Sequence, residues 1–225
     1  MAIAFDAASN SGFQTTTTPY TWSHTCTGSN RLLAVKIAAK VSGDTVSGIT
    51  YNGVALTNIR TDTHATAPFH TELWELINPA SGSHDITVTW GTAPDQSIGS
   101  AISLTGVIQT SHNDANNGAE GGVTTDATTT VITVADNAWL VNIVSSNTAS
   151  ATWTVGASQT ETLNTGTTDW AGASYEGPIT PAGGTVMNFT VSGGGKNWAT
   201  SAASFKPAAA GISIPVVYHH RQRNF

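Results

Sequence analysis

Apolar residues recur at every second position over short stretches of this chain, and no window carries an apolar period of 3.6 residues bounded by helix caps. Arg31 to Val41 places Leu33, Val35, Ile37, Ala39 and Val41 on one face of a strand. Val46 to Ile59 reads as two short strands around Asn52-Gly53, a dipeptide whose tolerance of positive φ suits a tight hairpin. His70 to Ile77 is a further strand, stopped by the turn cluster Asn78-Pro79-Ala80-Ser81-Gly82. His84 to Trp90 follows, with Ile86, Val88 and Trp90 on one side, and then Ser97 to Val107. Residues 111–122 (SHNDANNGAEGG) show no periodicity and read as a polar loop.

The second half echoes the first at an offset of about 100 residues. Trp139, Val141 and Ile143 align with Leu33, Val35 and Ile37, and Pro181-Ala182-Gly183-Gly184 aligns with Pro79-Ala80-Ser81-Gly82. Ser201 to Phe205 aligns with Ser100 to Leu104. The expected fold class is therefore all-β, an antiparallel β-sandwich or jelly roll over residues 1–207, with pseudo-repeats at about 20–107 and 125–207. Two tandem immunoglobulin-like sandwiches are the competing architecture, although the Cys–Trp–Cys pattern of antibody domains is absent.

Composition narrows the class further. Charged residues are 10% of the 225 positions, against about 25% in an ordinary globular domain. Long helices and coiled coils need that charge, and no run approaches the roughly 20 apolar residues of a membrane span. The net charge of −6 argues against a general nucleic-acid partner, and no membrane partner is expected. One cysteine, Cys26, cannot form an internal disulfide, and the N-terminus shows no signal peptide. Synthesis in a reducing cytoplasm, followed by work outside the cell, suits a virion protein released by lysis. A module cut from a longer exported chain is the other reading.

Catalytic motifs fail one by one. G-x-S-x-G and H-E-x-x-H are absent. Gly193-Gly194-Gly195-Lys196 is followed by Asn197, and Thr190 stands where a phosphate loop needs glycine. Glu72 and Glu75 fall on opposite faces of a strand, whereas a glycosidase pair must flank one bond. No cofactor is expected, and the chain reads as a non-enzyme. Asp62, His64, His70 and Glu72 come nearest to a metal site: if residues 65–69 form a hairpin loop, the four converge, the other reading being solvated loop residues. Asn113, Asp114, Asn116, Asn117 and Glu120 lack the EF-hand pattern. Trp153, Trp170, Tyr175 and Trp198 would serve as glycan contacts if exposed, and as core or sheet-end packing if not.

The tail differs in character. Residues 208–225 follow Pro207 with a short alanine linker, then the apolar Ile212, Ile214, Val216, Val217 and Tyr218, and then a basic end closing on Phe225. These six are the expected assembly contacts, added to a neighbouring subunit's sheet edge. The tail carries +2, leaving the body at −8.

The runs VSGITYNGVALTNI (46–59) and TELWELINPASGSHDITVTW (71–90), with Phe5-Asp6-Ala7-Ala8-Ser9 and Leu32-Leu33-Ala34-Val35, resemble β-sandwich virion surface proteins of tailed bacteriophages. The likeness covers most of residues 3–107 and, through the repeat, 123–207. It implies a non-enzymatic structural role, in capsid decoration or in a head or tail fibre. Residence in the virion agrees with the missing export signal, and the apolar, basic tail carries the expectation of a homo-oligomer, most simply a trimer, in contact with other virion proteins, with host surface glycans as a further partner class. A carbohydrate-binding or adhesin module is the alternative. The resemblance supplies no site residues.

Overall fold

The computed structural model describes residues 1–41, 45–146, 152–164 and 170–209. Among these residues every regular element is a strand. The first half contributes β1 (Ala4–Gln14), β2 (Tyr20–Cys26), β3 (Leu32–Lys40), β4 (Val46–Tyr51), β5 (Val54–Ala55), β6 (Thr57–Thr63), β7 (Phe69–Ile77), β8 (Gly82–Trp90) and β9 (Gln96–Thr105). The second contributes β10 (Asn113–Thr124), β11 (Asp126–Ile132), β12 (Ala138–Ser146), β13 (Trp153–Val155), β14 (Thr160–Asn164), β15 (Ala171–Ile179), β16 (Gly184–Val191) and β17 (Lys196–Phe205).

These strands form four antiparallel sheets. Sheet I has the order β1-β9-β3-β7-β6 and sheet II the order β2-β8-β4-β5. Sheet III runs β10-β17-β12-β15-β14, and sheet IV runs β11-β16-β13. The apolar clusters show how the sheets stack. Leu33, Val35, Ile37 and Ala39 of β3 pack against Ile49, Tyr51, Ile86 and Val88, joining sheet I to sheet II. The opposite face of β3, with Leu32, Ala34 and Ala38, packs against Val141, Ile143, Ala173 and Ala203, joining sheet I to sheet III. Val144, Trp153, Phe189 and Val191 in one cluster, and Val131, Leu140 and Met187 in another, close sheet III onto sheet IV. The layer order is II–I–III–IV, with the two five-stranded sheets back to back at the centre.

Burial on both faces explains why β3 and β12 lack exposed positions along almost their whole length. Asn52 and Gly53 both hold positive φ, as the two-residue turn between β4 and β5 requires. Two expectations are corrected. Residues 113–124 are not a loop but the edge strand β10, paired with β17 from Asn113↔Phe205 to Thr124↔Lys196. Its Asn and Gly residues disfavour a strand locally, and the ladder and sheet contacts override that preference. The ladders also pair Leu32 with Leu104 and Trp139 with Phe205, so Trp139 holds the station of Leu32 rather than Leu33.

Candidate functional site

The four residues expected to converge on a metal are separated by strand register. Thr63 pairs with His70, and Asp62 with Thr71. Directly opposed residues share a face, so Asp62 lies on the face away from His70 and Glu72. Closing the hairpin one residue earlier than expected is enough to divide the set. Among the described residues no group of three or more His, Cys, Asp or Glu side chains could hold a metal ion.

Each of the four has a scaffold role instead. Glu72 is fully buried between sheets I and II. Its Oε1 lies 3.0 Å from His70 Nε2 and accepts from Val46 N at 2.9 Å, while Oε2 accepts from Trp74 Nε1 at 2.8 Å. A buried carboxylate so surrounded is a structural clamp, because each donor offsets part of its desolvation. Asp62 faces sheet III. It takes two bonds from Arg60 at 2.6 Å each and one from Ser201 Oγ at 2.5 Å, and Arg60 Nη1 reaches Asn116 Oδ1 at 2.8 Å. Ser201 Oγ also lies 2.7 Å from Thr71 Oγ1. Gly118 makes room for this junction: a Cβ there would stand 2.0 Å from Asp62 Oδ1. His64 packs on Phe69 and donates from Nε2 to Gly121 O at 3.2 Å. The polar residues of β10 are used similarly, with Glu120 accepting from Ala65 N and Asp114 from Val134 N.

Two arrangements that sequence reasoning missed have chemical interest. Ser9 Oγ lies 2.8 Å from His24 Nδ1, a nucleophile-and-base spacing. Burial, however, pushes His24 down to about 4, only partly opposed by Asp6, which makes it a weak base. Ser9 Oγ also accepts from Trp22 Nε1 at 3.1 Å, which fixes it to the scaffold. Lys36 is fully buried on the face of β3 that meets sheet III. Its Nζ donates to Thr162 Oγ1 at 2.8 Å, and burial pushes the amine down to about 7. Directly across the ladder stands Ser100, whose buried hydroxyl has no hydrogen-bond partner among the described residues. The alternation of β3 in sequence showed one apolar face and gave no sign that the lysine face is also covered.

The four aromatic residues considered as glycan contacts do not form an exposed platform. Trp153, Trp170 and Trp198 are at most 6% exposed. Trp153 meets Phe189 edge-on, and Trp198 lies against Gly121 while donating from Nε1 to Thr124 Oγ1 at 2.7 Å. Tyr175 is sandwiched between Phe5 and Trp139, with both centroid distances 5.4 Å. Their large apolar surfaces are worth more inside the stack than in water. Ile212, Ile214, Val216, Val217, Tyr218 and Phe225 lie outside the described residues. No protein-family profile matches the chain, and no curated protein sequence is significantly similar to it.

Proposed function

We propose that this protein is a non-enzymatic structural component of a virus particle surface, serving in capsid decoration or in a tail or fibre. The observation that carries this reading is the use made of its polar chemistry. The acids and histidines expected to converge on a metal are spent on scaffold contacts: Glu72 clamps sheet I to the start of β4, and Asp62 ties sheet I to sheet III. A low-charge exterior of Thr, Ser and Asn around such a stack suits a rigid surface part. The resemblance of residues 3–107 to phage virion proteins supports the same reading. On this proposal the chain is made in the host cytoplasm and resides in the virion. It assembles with itself, most simply as a trimer, and with other virion proteins through the tail beyond Pro207.

Mass spectrometry and cryo-electron microscopy of particles purified from the native source test the proposal. The chain is expected at a stoichiometry that is a multiple of the particle symmetry. Its absence from purified particles refutes the reading.

A further inference from the structure

Sheet IV covers its central strand unevenly. β11 pairs with β16 from Gly184 to Thr190, whereas the short β13 pairs with it only from Phe189 to Val191. The loop after β13 reaches one residue further, with Gly156 N and Gln159 Nε2 donating to Asn188 O at 3.1 and 3.0 Å. From Gly184 to Met187 the β13 side of β16 has no partner strand among the described residues, and an open cleft of about 300 Å³ lies there.

Strand geometry tells which groups face this cleft. In an antiparallel ladder a residue's N–H and C=O point to one edge, and the edge alternates along the strand. Asn188 O points to the β13 side, so the N–H and C=O of Gly184 and Val186 do the same. The partner strand agrees: Thr130, opposite Val186, turns its carbonyl away from β16 and accepts from Asn117 Nδ2 at 2.9 Å. The edge thus offers a short row of donors and acceptors to an added strand.

The surroundings select the occupant. Val186 is exposed, and Ile132 and Val134, exposed as well, continue the same outer face of sheet IV. Glu176 of β15 lines the cleft half-buried, and burial alone pushes its carboxyl up, with no cation among the described residues to oppose it. A strand that fits must be apolar over one stretch and cationic nearby. Residues 210–225, outside the described residues, have that composition: Ile212, Ile214, Val216 and Tyr218 alternate, and Arg221 and Arg223 follow. Pro215 has the opposite parity from Ile214 and Val216, so its missing N–H belongs to the other edge of such a strand. The +2 of the tail complements the −8 of the body.

We propose that residues 212–218 of a neighbouring copy add as a strand to the Gly184–Met187 edge of β16, with the arginines of that tail meeting Glu176. The inference rests on the assembly role given to the tail above. The described chain ends at Ala209 beside Asn137, whose N–H donates to Ile179 O and Thr180 Oγ1, on the turn that leads into Gly184. Tail root and acceptor edge therefore share one end of the stack. Residues 210–225 reach roughly 50 Å when extended. A rotation axis along the strands carries each tail to its neighbour's edge at the same height, and such head-to-tail contacts close as a ring.

The test uses the full chain. Val186→Lys keeps the β11 ladder, since the side chain is exposed and the backbone at 186 turns away from β11, but it places a charge on the acceptor edge. It is expected to weaken self-association at least 10-fold in sedimentation, and Glu176→Gln to weaken it about 3-fold with a smaller salt dependence. Val54→Ser, an exposed apolar position on sheet II, should change nothing. Circular dichroism melts confirm that the variants fold. Independently of that, Val186→Cys combined in turn with Ile212→Cys, Ile214→Cys or Val216→Cys should, on oxidation, link different copies for at least one pair, Cys26 being buried. The proposal is overturned if none of the pairs links copies, if linkage forms only within one chain, or if folded Val186→Lys associates as the wild type does. Should truncation after Pro207 abolish association while Val186→Lys leaves it intact, this acceptor edge is wrong and the assembly role of the tail stands. Should truncation change nothing, the assembly role falls and this inference with it.

Discussion

Replacing Lys36 by Met is expected to stabilise this protein at neutral pH and to remove part of its pH dependence. The lysine lies between sheets I and III with Thr162 Oγ1 as its hydrogen-bond acceptor. Its neighbours across the ladders are Leu73 and Ser100, which bring no charge. Glu75, further along the same face of β7, is held by His112 at 2.7 Å, and Glu161 on β14 by Asn164 at 2.9 Å. Burial therefore acts unopposed and moves the amine from 10.5 to about 7. At about 1.4 kcal/mol per pH unit, that gap corresponds to roughly 5 kcal/mol of destabilisation when the lysine must be charged.

The sign follows from proton counting. Between about pH 7 and 10.5 the unfolded chain binds the proton and the folded chain does not, so stability rises with pH across that window. Below pH 7 both states are charged and the full cost is present. Tyr20, Tyr51 and Cys26 are all pushed up by burial and lower stability at high pH, but they do so equally in wild type and variant. The informative quantity is thus the difference between the two proteins, from urea unfolding at pH 7 and pH 9. Methionine keeps the length and apolar stem of lysine, and loss of the Thr162 bond costs only about 1 kcal/mol. The variant's advantage should narrow by about 2 kcal/mol from pH 7 to pH 9. An advantage that does not change with pH would refute the argument.

Three further outcomes are expected. Gly118→Ala forces a methyl group onto the Asp62 carboxylate and should destabilise the protein by about 1–3 kcal/mol in denaturant melts, whereas an unchanged midpoint would mean that Asp62 is not held at this junction. His24, held down at about 4 in the folded protein, should cost stability as pH falls from about 6.5 to 4, by roughly 2–3 kcal/mol in total; NMR titration of its ring checks this, and an ordinary titration near 6.5 would exclude it. Truncation after Pro207 should leave a folded body that no longer self-associates in light scattering, and unchanged association would remove the tail from the assembly proposal.

The strand pattern was legible because a sheet face against a core imposes a two-residue period on the chain itself. Val35 and Ile37, or Ile86 and Val88, carry that information locally, and Asn52-Gly53 carries the turn. Ladder register is a different kind of fact. It is fixed by how two strands slide against each other, and a one-residue change moves every side chain to the other face. That is why Asp62 and Glu72 read as partners in sequence yet face different neighbouring sheets. It is also why the bulges of β1 at Gly12 and of β14 at Thr162 left no sequence signal beyond one glycine.

Burial of the second face is less legible still. The positions Leu32, Ala34, Lys36 and Ala38 would suit a strand with one wet face, since a lysine is affordable there. Whether that face is wet depends on Val141, Ile143 and Ala203, which are more than 100 residues away in sequence. No local pattern in β3 can report the arrival of sheet III. A charged residue that looks unremarkable in its own strand thus became the most strongly perturbed cation described, and the side chain that meets it, Thr162, lies on a bulge of the other half. The chemistry of the seam follows from the pairing of the halves, which explains why motifs sought within one half did not find it.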